Sequence, residues 1–167
     1  MVADAFSGGP LSMLYRINAG PVPGDHWTQD PAVGGGRLIG EVCHFIDFMT
    51  YMCGAHAVSV YATCLDDMSG AKDTVSVNLK FANGSIGSIL YLANGSDRVA
   101  KEYFEISASG QTGVIRDFRE AEIFQGKKKN RRKLMSQDKG QKAMIDCFLA
   151  SIVSESSKLP PIEETIN

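Results

Sequence analysis

No run of about 18 apolar residues occurs in the chain, which excludes a membrane-spanning helix. Met1 to Pro10 hold neither a basic cluster nor an apolar stretch, so no secretory signal is expected there. The four cysteines, Cys43, Cys53, Cys64 and Cys147, form no C-x-x-C motif. Cys43 and Cys53 would stand about 15 Å apart along one helix, too far for a disulfide. All four lie in apolar contexts and are expected to be buried thiols in a reducing, cytoplasmic setting. Neither charge is in excess: 17 Lys and Arg against 19 Asp and Glu leave a net charge of -2. That balance gives no general pull toward nucleic acid or an acidic membrane. A metal site is not expected either. Glu41-x-x-His44 has the spacing of one half of a di-iron site, but a second such pair is missing, and His26 and His56 offer no ligand spacing. There are no internal repeats.

What is present fits one domain. The chain has 167 residues, 44% of them apolar and 22% charged, long enough to bury a core without staples. Its centre is the stretch Gly34-Gly35-Gly36-Arg37-Leu38-Ile39-Gly40-Glu41-Val42-Cys43-His44-Phe45-Ile46-Asp47-Phe48. At helical spacing, Leu38, Val42, Phe45, Met49 and Met52 fall on one stripe, and Ile39, Cys43, Ile46 and Cys53 on the next. Arg37, Glu41, His44 and Asp47 share the remaining sector. The pattern predicts a helix buried on most sides, with a narrow polar strip facing a cleft. Glu41 and Asp47 lie three residues either side of His44, within helical reach. A carboxylate beside an imidazole raises its pKa and orients it, as a general base requires. The competing reading is a core histidine bonded to a backbone carbonyl. The glycine triplet serves as a hinge or leaves N–H groups free for an anion.

Along the chain, residues 1–10 read as a linker or frayed end. Leu11 to Asn18 reads as a strand, and Pro21 to Val33 as a long loop with the only tryptophan, Trp27, which either covers a ligand or plugs the helix against the sheet. After Gly54 the period switches from helical to alternating. Strands are expected at Ala57–Leu65, Asp73–Phe81, Ser85–Leu92, Lys101–Ala108, Gly113–Asp117 and Ala121–Gln125, with turns at Asp66–Gly70, Asn94–Asp97 and Asn83-Gly84, the last a strong hairpin signal. Together they predict a meander of consecutive antiparallel strands, one face packed on the central helix and the other lining a pocket or meeting a second subunit. Lys127 to Lys133, with six basic residues in seven, is placed at a hairpin tip: a site for a phosphate or polyanion, or a solvated turn. Ser136 to Lys139 caps a helix running to about Ser156, Leu159-Pro160-Pro161 ends it, and Glu163 onward starts a further element.

The order of strand, Trp-bearing loop, Gly-Gly-Gly, helix with His-x-x-Asp and antiparallel strands resembles the C-terminal domain of the glucose-fructose oxidoreductase / inositol dehydrogenase / rhizopine catabolism (Gfo/Idh/MocA) family. The motifs that carry the resemblance are Tyr15-Arg16-Ile17-Asn18-Ala19-Gly20, Gly40-Glu41-Val42-Cys43-His44-Phe45-Ile46-Asp47 and Asp138-Lys139-Gly140. It implies an α+β fold, with an open, predominantly antiparallel sheet and helices on one face, spanning residues 11–167 as a single substrate and dimerisation domain. It implies that an N-terminal Rossmann domain binds NAD or NADP, and that His44 takes a hydroxyl proton as hydride leaves for the nicotinamide. Glu41 or Asp47 would orient His44, and Tyr15, Arg16, Asn18, Trp27 and Lys101 are candidate pocket residues. Tyr15 and Arg16 point to opposite sides of their strand.

Two features depart from the family pattern. No G-x-G-x-x-G opens a βαβ unit here, and the family's Glu-Lys-Pro lysine has no counterpart. Where many members place Asp four residues before the histidine, this chain has Gly40, with Glu41 adjacent and rotated by about 100°. The expectation is a piece of a larger enzyme, ending before the family's last helix, inactive and without tight cofactor binding on its own. Its partners would be the Rossmann half, a sugar, nucleotide sugar or cyclitol, and a second copy through the sheet, with neither nucleic acid nor membrane. The alternative function is a non-catalytic binding and dimerisation module.

Overall fold

The computed structural model describes residues 2–6, 8–30, 32–66 and 72–153. The chain divides into two compact units, Met1–Met135 and Ser136–Asn167. The first unit contains one eight-stranded sheet: β1 (Ser12–Asn18), β2 (Ala57–Cys64), β3 (Val75–Phe81), β4 (Ile86–Leu92), β5 (Glu102–Ala108), β6 (Gln111–Arg116), β7 (Glu120–Gln125) and β8 (Lys128–Lys133). Their spatial order is β2-β3-β4-β1-β5-β6-β7-β8. The fold is thus α+β with a mostly antiparallel sheet.

Alternation sets the register where the sequence is most regular. Val75, Val77, Leu79 and Phe81 all face inward, and Asn83-Gly84 closes the β3–β4 hairpin, with the Gly84 N–H on the Phe81 carbonyl at 2.9 Å. The expected uninterrupted meander is corrected in one place. β1 is inserted between β4 and β5, parallel to β4 and antiparallel to β5. A hairpin connection cannot join parallel strands, so the chain reaches β4 only after the central helix and two outer strands.

Two helices cover one face. α1 (Val2–Ala5) and the residue after it put Val2 and Phe6 into the core, so residues 1–10 are not simply a linker. A Cβ on Gly113 of β6 would lie 2.9 Å from both Phe6 Cε2 and Ile106 Cγ2, which locates α1 over β5 and β6. α2 (Cys43–Cys53) continues a π-helical turn at Leu38–Val42 and ends at Gly54, whose φ of 65° forms a left-handed cap. It lies close to β4: a Cβ on Gly87 would fall 2.6 Å from Met49 Sδ. Tyr15 on β1 meets Phe45, Phe48 and Phe104 edge-on, at centroid distances of 4.9, 5.5 and 5.4 Å, a favoured aromatic geometry.

α2 is not buried on most sides. Val42, Met49 and Met52 are buried, whereas Leu38, Ile39, Cys43, His44, Asp47 and Tyr51 are exposed. The cysteine expectation is corrected with it: Cys43 and Cys64 are exposed, Cys53 and Cys147 half-buried. Cys43 lies on the outward side of α2 and Cys64 on an edge strand, where apolar sequence neighbours do not confer burial. Nor do residues 127–133 form a tip. Most of them build β8, paired along its length with β7. Lys129 reaches Glu122 at 2.6 Å and Arg131 reaches Glu120 at 2.9 Å, so the acidic strand holds the basic one.

In the second unit, α3 (Gln141–Val153) follows Gly140, whose N–H bonds Asp138 Oδ1 at 2.9 Å. The expected continuation to Ser156, the stop at Leu159–Pro161, the element from Glu163 and all but Asp66 of the Asp66–Gly70 turn lie outside the described residues.

Candidate active site

The polar strip of α2 begins at the glycine triplet. Gly35 and Gly36 adopt φ of 68° and 82°, a conformation glycine takes without the Cβ penalty. A Cβ on Gly34 would sit 2.5 Å from Thr28 Cα, so the loop turns tightly against the 3-10 turn Trp27–Gln29 before entering the helix.

Arg37, 3% exposed, is the anchor of this end. Its Nη1 donates to the Gly20 carbonyl at 2.7 Å and its Nε to Glu41 Oε1 at 3.1 Å. Its guanidinium carbon lies 5.2 Å from the Tyr91 ring centroid, within cation–π range. Burial disfavours the Glu41 carboxylate, but Tyr91, Arg37 and Lys101 outweigh it and hold the carboxyl below its ordinary value. Burial raises the Tyr91 phenol, and Glu41 adds to the shift. The Tyr91 hydroxyl lies beside Glu41 without meeting hydrogen-bond geometry, so it acts there as a neighbouring dipole. Gly20 follows β1, Tyr91 lies near the end of β4, and Lys101 precedes β5. The cluster therefore marks the C-terminal edge of the parallel pair, beside the start of the central helix.

His44 and Asp47 are both exposed. The His44 ring has Nδ1 3.9 Å from Cys43 Sγ, and no hydrogen bond among the described residues joins it to Glu41 or Asp47. Glu41 is turned instead toward Arg37. Of the two carboxylates expected to orient His44, Asp47 stands in solvent beside it on the helix and Glu41 is held by Arg37.

The remaining candidates divide between positioning and packing. Tyr15 is 2% exposed and donates to Glu102 Oε2 at 2.5 Å, so its side chain sits in the core. Arg16, on the opposite face, donates to the Ala100 carbonyl at 3.1 Å. Asn18 is buried and clamps the loop before β5 through Nδ2 donating to the carbonyls of Ser96 (2.6 Å) and Val99 (3.1 Å). It positions Lys101 and does not present itself. Trp27 is 62% exposed, tilted against His26 at 5.8 Å between centroids, so it does not plug the helix against the sheet. Sequence reasoning placed Arg37 on the strip without giving it a role and missed Tyr91; the available signal was the i,i+4 spacing of Arg37 and Glu41.

A cleft of about 700 Å³ lies at the other end of α2, lined by Phe6, Pro10, Leu11, Tyr51, Met52 and Asn83 among others. None of the sequence-derived candidates lines it, and it offers neither histidine nor lysine for proton transfer. Among the described residues no three His, Cys, Asp or Glu side chains converge as a metal site would require.

A family model described as the GFO/IDH/MocA C-terminal domain matches residues 8–116. Among solved structures, UDP-N-acetylglucosamine 3-dehydrogenase GnnA from Acidithiobacillus ferrooxidans is similar at a TM-score of 0.73 and 16% identity, over 92% of this chain and 48% of that one. Aldose-aldose oxidoreductase from Caulobacter crescentus, complexed with glycerol, gives 0.73 and 17% over 93% and 49%. A levoglucosan dehydrogenase in complex with NADH gives 0.70 and 18% over 93% and 52%. No curated protein matches in sequence. The chain spans about half the length of these structural relatives. With its α+β architecture and a family match covering more than half its length, the chain belongs to the GFO/IDH/MocA family, as its C-terminal domain.

Proposed function

We propose that this domain forms the substrate side of an NAD(P)-dependent oxidoreductase acting on the hydroxyl of a sugar, nucleotide sugar or cyclitol. The observation that carries the reading is an exposed histidine, His44, on the same helix as an anchored carboxylate, Glu41, at the C-terminal edge of the parallel strands. An imidazole open to solvent can accept the proton of a substrate hydroxyl. Glu41, ionised and fixed by Arg37, offers an acceptor for a second hydroxyl, and Lys101 a donor. Asp47, three residues beyond His44, lies within helical reach to orient the imidazolium once it forms. The printed names of the structural relatives concern aldoses, levoglucosan and a nucleotide sugar, and one of those relatives holds NADH.

The cofactor does not fit the residues present. The one parallel pairing among the described strands is β1–β4, and no G-x-G-x-x-G turn leads from a strand into a helix in the sequence, as a dinucleotide fold requires. The role assigned here is therefore confined to binding, orientation and the proton. The uncovered face of the sheet, with Leu14, Ile86 and Leu90 exposed, supports association with a second copy.

In an enzyme joining this domain to a dinucleotide-binding half, His44→Ala lowers kcat by about 10²-fold or more; an unchanged kcat removes His44 from the chemistry. NADH or NADPH added to this chain alone leaves its Tm unmoved. A ligand at 100 times its Kd would add about 2.7 kcal/mol, roughly 5–10 °C at this size, and such a shift would place cofactor determinants in these residues and overturn the half-site reading.

A further inference from the structure

The two edges of the sheet are unlike. β8 carries five cations in six residues, the kind of charge that keeps an edge from pairing with another chain. β2, Ala57-Val58-Ser59-Val60-Tyr61-Ala62-Thr63-Cys64, carries no charge at all, and every one of its residues is exposed. Val60 and Tyr61 are 64% and 68% exposed. Among the described residues β2 pairs only with β3, and the Leu65 N–H and His56 carbonyl extend that inner pairing at both ends. Among the described residues, its outer row of N–H and C=O groups has no strand beside it.

We infer that β2 is an association edge, on which a second copy of this chain adds its own β2 antiparallel across a two-fold axis, joining two sheets into one. An exposed, uncharged edge strand is a ready template for strand addition. Of the three possible edge pairings, β8 on β8 sets five cations against five, which repels. β2 on the β8 of another copy is heterologous and builds a ring or an open filament, not a two-fold dimer. β2 on β2 is isologous, closes as a dimer, and in no register sets like charges against each other. With Tyr61 on the axis, Val60 pairs with the partner's Ala62. The His56 end of each strand then meets the end carrying the partner's Asp66, an imidazole donor against a carboxylate. The register irregularity of β2 on β3 lies between Ala57 and Ser59, leaving Ser59–Cys64 regular. This edge is distinct from the uncovered sheet face of the proposed function, so the two associations are separable.

The test is sedimentation velocity of the chain over a range of micromolar concentrations, with Val60→Lys and Tyr61→Lys at the edge and Ile86→Asp on the sheet face. Far-UV circular dichroism checks that each variant folds. The expected result is a mass halved by either edge variant relative to the unsubstituted chain at equal concentration. Amide exchange of Ser59–Cys64 in the unsubstituted chain should slow as concentration rises. A chain that is monomeric at every concentration overturns the inference, as does an assembly whose mass and exchange ignore the edge variants. If Ile86→Asp alone lowers the mass, the face associates and the edge does not; if the edge variants alone lower it, the edge holds and the face reading fails.

Discussion

Arg37 Nε lies 3.1 Å from Glu41 Oε1, and the arginine of this pair is almost wholly buried while its partner reaches solvent. The guanidinium is also tied to the Gly20 carbonyl and set against Tyr91, so one side chain joins the central helix to the ends of two strands. Arg37→Ala should destabilise the unit by about 3 kcal/mol, since it removes packing and orphans a carbonyl and a carboxylate. Glu41→Gln should cost less, about 1 kcal/mol, because Arg37 keeps its other two contacts. Urea unfolding of both variants measures the difference; equal costs would count against Arg37 as the anchor.

Tyr15 and Glu102 meet through a buried hydrogen bond across β1 and β5. Tyr15→Phe keeps the aromatic packing but removes the donor. The expected loss is about 1–3 kcal/mol, read from the urea midpoint, with unchanged secondary structure. In a joined enzyme the same variant should leave KM for the sugar unaltered, as befits a core residue; a large KM change would return Tyr15 to the pocket.

Phe6 packs over Gly113 and Ile106. Phe6→Ala should cost about 3 kcal/mol or more, measured by thermal or denaturant unfolding. A cost near zero would restore residues 1–10 to the status of a linker.

Glu122 sits 4% exposed on the uncovered face. Hydrogen bonds from Lys129 and Arg116 hold its carboxyl at about 2, well below the ordinary 4.5, against the opposing effect of burial. A group depressed on folding contributes stability that is fully present above its unfolded value and is lost as pH falls through its folded value. Stability should therefore decline between about pH 4.5 and 2, and Glu122→Gln should flatten that decline. Unfolding midpoints across the pH series test this; parallel curves for the two proteins would reject it.

The hairpin of β3 and β4 was legible because both of its signals are local: four alternating apolar residues and Asn83-Gly84. The place of β1 was not, since its neighbours are set by pairing with residues 74 positions away on β4 and 85 to 95 positions away on β5. β8 was misread for a different reason. It has no apolar residue to alternate, and its extended form depends on Glu120 and Glu122 of the strand beside it. At the candidate site, the residues of the α2 strip were readable from helical spacing, but their orientation was not. Arg37 is buried only because Gly20 and Tyr91 arrive from the sheet, and that draws Glu41 away from His44. Val2 and Phe6 carried a legible i,i+4 apolar pair, hidden among small and polar neighbours.

The insertion of β1 in the middle of the sheet also fixes an order of events. Within this sheet, β1 precedes the other strands in sequence yet needs both of its neighbours made later, β4 on one side and β5 on the other. Until the chain has been synthesised through Ala108, the apolar side of Met13-Leu14-Tyr15-Arg16-Ile17 has no complete place to go. Contacts so distant in sequence slow folding and prolong the exposure of unpaired strands. The outer hairpin of β3 and β4 can form early and wait, whereas the central seam closes last, and a nascent chain stalled before β5 would present β1 as its most aggregation-prone segment.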